Sequence, residues 1–335
     1  MERLRIPSYL AILLLGVMLI SVGCIMKKDN EPTTNPARAS VSVNEAATTT
    51  NENKEQNPLI NQEASEVTVY FLTEDEEHLV PLTIPITNTE KAAKVAIERL
   101  IVGPTDEFAK PIINSSTKII DIYVKDSIVY LDLTKHFLDF KSDNLGELAI
   151  IGVLKTLEPF INENMLQILI EGQKTDKIFG MFDLSKPISA KGEAALIENQ
   201  HQLTLYFADS NGIYLVPAVR KVNTPDPITA TVVELVKGPG NQSGLIPTIW
   251  PGTAVLGVTL KGDTVEVNLS RQAIGYGGGS ATENLFIKSL LLSLTEFVEV
   301  HQVQLLIEGE KLEVLPEGTE VSKPLTRPAY INYRN

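Results

Sequence analysis

The chain has 335 residues, with 29 Lys and Arg against 42 Asp and Glu, a formal net charge of −13. Hydrophobic residues at 43% are enough for buried cores in about two domains, and the acidic balance argues against nucleic acid as a partner, because neutralising phosphates needs a basic surface. A single cysteine, Cys24, and four histidines exclude a disulfide framework and any multi-cysteine metal or redox site, so no metal or cofactor is expected.

The first segment, residues 1–23, reads as an address. Basic Arg3 and Arg5 precede an apolar run from about Leu10 to Val22, and small residues follow, which is the pattern of a secretory signal peptide. The stretch Ser21-Val22-Gly23-Cys24 resembles a bacterial lipobox, with Ser21 where an aliphatic residue is usual. In that reading Cys24 is the lipidation site: its thiol takes a diacylglycerol and its new amino terminus a fatty acid, and the membrane becomes a partner. Two acyl signals are what stable anchoring requires, at ~0.8 kcal/mol per buried methylene. The alternative is an uncleaved transmembrane helix with an inert Cys24; both readings export the rest of the chain. Residues 24–64 are then dominated by Thr, Asn, Glu, Ala and Ser. They cannot bury enough surface to offset their ordering entropy, so a disordered tether is expected, with a reach of roughly 30–35 Å.

Beyond the tether the sequence repeats. Val67-Thr68-Val69-Tyr70-Phe71 returns as Leu203-Thr204-Leu205-Tyr206-Phe207, and Leu79-Val80-Pro81 as Leu215-Val216-Pro217. Gly103-Pro104 returns as Gly238-Pro239, the Gln167–Gly172 segment as Gln304–Gly309, and Lys186-Pro187 as Lys323-Pro324. The order is kept and the spacing stays within one residue of 136. A tandem duplication is therefore expected, with domains at 65–198 and 199–335.

Alternating apolar residues predict strands at about 67–72 and 79–86, and again at 203–208 and 213–220. A helix follows in each copy. Thr87 with Glu90 is read as a capping box and Thr224-Pro225 as the second start, while Gly103-Pro104 and Gly238-Pro239 mark the stops. Next come hairpins at 118–124 with 128–133 and 254–260 with 264–269, the latter turning at Lys261-Gly262-Asp263. Second helices are expected at about 146–158 and 282–297, started by Asn144 with Glu147 and by Ser280 with Glu283. Each leads into the QILIEG or QLLIEG strand. The fold class is α+β: two duplicated domains, each a small mixed sheet with two helices on one face in a split βαβ pattern.

Residues with chemical potential are few. The loop Gly275-Tyr276-Gly277-Gly278-Gly279-Ser280 precedes a helix and could expose N–H groups to an anion, but it lacks the P-loop lysine and the dinucleotide fingerprint, and a loop delivering the chain to its cap explains it as well. Glu171 and Glu308 recur in both copies, yet general acid–base work needs two carboxyls converging on one pocket. Asp132 becomes Asn268, which fits hydrogen bonding better than base catalysis. The histidines do not recur, and no nucleophile elbow is present. No enzyme is expected. The last helix is apolar over far more than one packing face, which means deep burial, between the copies for example, or a partner-binding patch. Trp250, in a proline-framed loop, reads as a partner-binding aromatic or a lid on the sheet edge.

The LVP strand, the Gly-Pro helix stop, the Gly-Gly-Ser-x-x-Glu entry to the second helix and the QILIEG strand together resemble the GerM domain family of sporulation and spore germination. The resemblance spans about residues 65–330 and is stronger in the second copy, where Leu215-Val216-Pro217-Ala218-Val219-Arg220 and Pro251-Gly252-Thr253 fit the pattern. In the first copy Ile84 stands where Arg220 aligns. The resemblance implies ring-building-motif-like domains in a non-catalytic, lipid-anchored extracytoplasmic scaffold. Its place would be the cell membrane, facing the space between mother cell and forespore, and its partners other sporulation proteins such as the channel complex there. Candidate contacts are Trp250, Arg220 and Tyr276. The alternative is a ligand-binding lipoprotein holding a cell-wall fragment or germinant in the cleft between the copies.

Overall fold

A computed structural model of the chain describes residues 64–89, 91–161, 165–189, 200–241, 243–275 and 277–333. The expected signal peptide, Cys24, the tether up to residue 63, Glu90 and Tyr276 lie outside the described residues, while Ala64, the tether's last expected residue, already belongs to the first strand.

In the first copy β1 (Ala64–Thr73) and β2 (Leu79–Thr89) form a long antiparallel hairpin, with Val69 opposite Leu82 and Phe71 opposite Val80. Helix α1 (Ala92–Val102) follows, then β3 (Ala109–Lys110), which adds to the free edge of β1. A second hairpin, β4 (Ile119–Lys125) with β5 (Ile128–Leu133), precedes α2 (Asp143–Leu157) and β6 (Met165–Ile170). A small hairpin, β7 (Ile178–Phe179) with β8 (Phe182–Asp183), leads to β9 (Ile188–Ser189). Strands β5 and β6 are parallel, joined through α2 as a parallel pair requires, and the main sheet has the order β4-β5-β6-β9.

The second copy repeats this plan. The hairpin β10 (Gln200–Ala208) with β11 (Leu215–Asn223) is followed by α3 (Pro227–Lys237), β12 (Val255–Lys261), β13 (Thr264–Leu269), α4 (Gly279–Leu294), β14 (Gln302–Ile307) and β15 (Leu325–Thr326). Its main sheet has the order β12-β13-β14-β15. The α+β class with two helices and a mixed sheet per copy is as expected. One strand differs: 79–86 and its counterpart stay paired with the strand before them instead of joining the main sheet. Helix α1 touches both β1 and β4, and α4 touches both β10 and β14, so the helix layer is covered on two sides.

That double cover explains the apolar last helix. Phe286, Ile287, Leu290, Leu291, Leu292 and Leu294 are all buried, some against the β10–β11 hairpin and some against the sheet. The helix is thus packed within its own copy, and its Leu292, with Leu285 beside it, reaches the cluster formed with Tyr206, Leu215 and Ile331. Of the apolar residues at its end, Val298 alone is left in solvent, 91% exposed. The helix–hairpin joint carries polar bonds that recur: Tyr206 N–H donates to Ser293 Oγ at 3.0 Å, as Tyr70 N–H does to Thr156 Oγ1 at 3.3 Å.

The helix starts differ from the expectation while the stops do not. Asp226, not Thr224, caps α3 by accepting from Thr229 N–H, and Pro227 rather than Pro225 takes the first-turn position. Ser142 caps α2 by accepting from Leu145 N–H, which puts Asn144 inside the helix. Helix α1 begins after Lys91 with no side-chain cap, and Thr87 belongs to β2. Helix α4 begins after Gly278, so Ser280 is already helical, and Glu283 turns away to accept from Glu317 N–H and Thr319 N–H, both at 2.8 Å. Gly103 and Gly238 end their helices at positive φ, the conformation that admits glycine at no steric cost.

Both copies fall in one compact unit. Tyr214, just before β11, and Val216 of β11 are buried in the core cluster of the first copy. The chain's last described stretch crosses back over the joint. Ile331 O accepts from Thr83 N–H at 3.0 Å and Ile331 N–H donates to Thr83 Oγ1 at 2.9 Å. Asn332 then bridges β2 and β11, donating to Pro81 O and Leu215 O and accepting from Leu215 N–H. His78 with Ser243 O and Asn211 with Glu74 add two further links.

Candidate functional site

The recurrent acids serve the ends of β6 and β14. Glu171 and Glu308 have φ of 52° and 53°, a left-handed turn completed by Gly172 and Gly309. Glu308 Oε1 accepts from Arg271 N–H at 2.8 Å, and Glu171 Oε1 lies 3.5 Å from Lys135 N–H, each at the start of a short 3₁₀ turn. Asp132 Oδ1 accepts from Gly172 N–H at 2.9 Å and Asn268 Oδ1 from Gly309 N–H at 2.8 Å. An amide does in one copy what a carboxylate does in the other, so the position requires an acceptor and not a proton exchanger. The pairs sit in separate copies and do not converge.

The glycine loop is shaped by its backbone. Gly278 and Gly279 have φ of 120° and 72°, and a Cβ on Gly278 would collide with Thr282 Oγ1. The one carboxylate in the first turns of α4, Glu283, is wholly buried and committed to the 317–319 loop.

Arg220 is engaged within its own copy. Its guanidinium meets Glu234 Oε2 at 2.6 Å, donates to Gly238 O at 3.0 Å, and lies 5.9 Å from the Phe207 ring centroid. It therefore ties β11 to the end of α3. Burial pushes the Glu234 carboxyl up, but hydrogen bonds from Lys237 and Arg220 outweigh it and hold that carboxyl below the usual glutamate range. Trp250 is 43% exposed at the end of a loop whose neighbour Ile249 is buried, and Thr253 Oγ1 closes the turn onto Trp250 O at 2.7 Å. Tyr276, the third expected contact, lies outside the described residues.

The joint between the copies holds residues that sequence reasoning missed. Arg327 donates to Leu292 O, Thr295 Oγ1 and Glu296 Oε1, and Tyr206 Oη donates to the same Glu296 oxygen at 3.0 Å. Burial, reinforced by the negative charge of Glu158 and Glu296, raises the Tyr70 phenol well above its ordinary range. Tyr206 is raised for the same leading reason. Both are neutral hydroxyls at physiological pH, structural groups and not bases. Beside the joint Tyr206, Leu215 and Leu292 form a small buried cluster with Leu285 and Ile331 packed against it. Shallow grooves of about 430 and 450 Å³ flank the crossing segment. Among the described residues no group of three or more His, Cys, Asp or Glu is arranged to hold a metal. No helix among them is long and apolar enough to cross a membrane.

A family model described as "Germane: Sporulation and spore germination" matches residues 68–176 and again 204–313. The chain belongs to this family. Its two Germane matches fall on the two structural repeats, each from the hairpin through the strand that follows the second helix. The chain is similar to the Spore germination protein GerM of Bacillus subtilis (strain 168), at 25% identity over 282 residues covering 78% of this chain and 77% of that protein. Among solved structures it is similar to the tandem GerMN domains of the sporulation protein GerM from Bacillus subtilis. That match has a TM-score of 0.62 and 23% identity over 80% of this chain and 98% of the other, and it shows a shared fold. The family expected from the LVP, Gly-Pro and QILIEG motifs is the family found. The relatives are named for germination and sporulation and not for a catalysed reaction.

Proposed function

We propose that this Germane protein is a lipid-anchored, extracytoplasmic scaffold of sporulation and germination, attached through Cys24 and contacting other envelope or channel-complex proteins. The observation that carries the reading is the employment of the recurrent acids. Glu171, Glu308, Asp132 and Asn268 all hold turns through backbone N–H groups, so among the described residues the recurrent acids do not form a convergent acid–base pair. Two fused copies joined by buried contacts form a single unit with outward loops and strand edges, the form expected of a module that binds polypeptides. The lipobox-like sequence at Cys24 and the Thr- and Asn-rich segment after it support the anchored, tethered arrangement.

The test has two arms. In sporulating cells, palmitate labelling of the full chain is expected to vanish in Cys24→Ser, with the protein leaving the membrane fraction; labelling that persists in that variant overturns the anchor. Crosslinking from sporulating membranes is expected to yield discrete adducts that weaken in Trp250→Ala, and an unchanged adduct pattern removes Trp250 from the contact surface.

A further inference from the structure

The two long hairpins are copies, but their outer edges are treated differently. On β2 the backbone groups that face away from β1 belong to Leu79, Pro81, Thr83 and Pro85. The parity is fixed by Thr73 N–H bonding His78 O on the inner side and by Thr83 N–H bonding Ile331 O on the outer. Pro81 and Pro85 have no N–H to offer, and Thr83, the remaining donor at the centre, is taken by Ile331 O of the chain's own last stretch. This edge is closed by the means natural sheets use against stray pairing.

On β11 the same parity, set by Asp209 N–H to Tyr214 O and by Leu215 N–H to Asn332 Oδ1, turns Pro217, Val219, Lys221 and Asn223 outward. Only Pro217 repeats a closing device. Val219 stands where Thr83 does and Lys221 where Pro85 does, 136 residues on. The crossing segment ends its pairing at Leu215, and among the described residues no backbone group bonds Val219, Lys221 or Asn223 on this side. Val219 is 66% exposed, and Lys221 and Asn223 are exposed as well. Their cross-strand neighbours Thr204, Gln202 and Gln200 carry no charge, so Lys221 is the one charge on that strip.

We propose that the outer edge of β11, from Val219 to Asn223, accepts an extended segment of a partner protein as an added strand. The segment carries an apolar side chain beside Val219 and a carboxylate beside Lys221. Strand addition supplies main-chain hydrogen bonds, and the alternating neighbours supply selectivity. In the first copy the corresponding central donor, Thr83 N–H, is already taken by Ile331 O of the chain itself. A second copy of this chain is disfavoured as occupant, because an antiparallel pairing of two β11 edges about their centre sets Lys221 against Lys221. The inference rests on the scaffold reading only for its biological meaning.

The probe is the synthetic peptide Thr-Ile-Thr-Glu-Thr-Ile-Thr, blocked at both ends and added to the full chain released from lipid by Cys24→Ser. Amide exchange and chemical shifts are expected to show protection of Val219, Lys221 and Asn223. Binding is expected to weaken at least about tenfold in Lys221→Pro, with the central Glu of the peptide changed to Lys, and with its edge-facing amides methylated. Lys221→Pro copies the residue that the first copy carries there, and an unchanged melting temperature verifies its fold. Absence of protection at these amides with millimolar peptide, or equal binding by Lys221→Pro and by the methylated peptide, overturns the proposal. So does a sedimenting dimer that Lys221→Pro dissolves. The Trp250 crosslinking arm reads the scaffold function separately, so failure at β11 and failure of that reading remain distinguishable.

Discussion

Asn332 and Leu215 are bonded to each other in both directions: Leu215 N–H donates to Asn332 Oδ1 and Asn332 Nδ2 donates to Leu215 O, each at 2.8 Å. The same Nδ2 reaches Pro81 O at 2.9 Å, so one side-chain amide links the edge strands of two separate hairpins. Asn332 also has a φ of 54°, which asparagine tolerates better than most residues. Asn332→Gly keeps that backbone freedom and removes the bridge, and it is expected to destabilise the protein by about 1–3 kcal/mol. Calorimetry checks the loss, and amide exchange is expected to rise first at Leu215. Unchanged exchange there means the bridge does not hold the copies together.

Glu234 gives the acid limb of the stability curve a defined component. Its folded pKa is held below the ordinary glutamate value, so its contribution is fully present above the unfolded pKa of about 4.3 and fades as pH falls through the folded value. Glu234→Gln is expected to be less stable than the wild type by about 0.5–1 kcal/mol at pH 7, with solvent screening keeping the figure small. The difference is expected to close once the pH lies below the folded value. Urea unfolding at the two pH values measures it, and a gap of equal size at both assigns the loss to shape and not to charge.

The turn-holding role of the recurrent acids separates stability from function. Glu308→Ala removes the acceptor for Arg271 N–H and is expected to lower stability by about 1 kcal/mol. The double variant Glu171→Gln with Glu308→Gln keeps an acceptor oxygen at both turns and is expected to sporulate as the wild type does. Spore counts that collapse in a stable, membrane-bound double Gln protein would point to chemistry at these carboxyls.

Glu283 is a buried carboxylate that accepts two backbone donors from one loop. Glu283→Gln leaves a single acceptor oxygen for Glu317 N–H and Thr319 N–H, and a cost of about 1.5–3 kcal/mol is expected. Exchange of the Thr319 amide is the local readout. If that amide stays protected in the variant, the loop is held by other contacts.

At the corresponding place in the first copy, 137 residues earlier, stands Gly146, and the Phe179 ring lies where its Cβ would be. Gly146→Ala is expected to cost about 1–3 kcal/mol by overpacking. Phe179→Leu in the same chain is expected to recover part of it. A double variant no more stable than Gly146→Ala alone would place the clash elsewhere.

Local and repeated signals were legible in one dimension. The duplication follows from matching segments in constant order, and the Gly103 and Gly238 stops follow from the positive φ that a helix end needs. The α+β class follows from the succession of two periodicities. Helix starts were less legible, because several polar residues precede each helix and the backbone path decides which one caps. Asp226 won over Thr224 and Ser142 over Asn144 for that reason alone. What only the tertiary structure decided depends on residues far apart in sequence. The apolar circumference of α4 is the same whether a partner or its own copy covers it; the fold supplied two covering layers. Glu283 looked like a cap until a loop more than thirty residues on presented two donors. Arg327, Ile331 and Asn332 carry no motif, and their role appears only when the chain's end returns to strands 117 and 251 residues away. The sequence could say that there are two copies, but not that the second leaves open a strand edge which the first has closed, since that depends on where the last few residues come to rest.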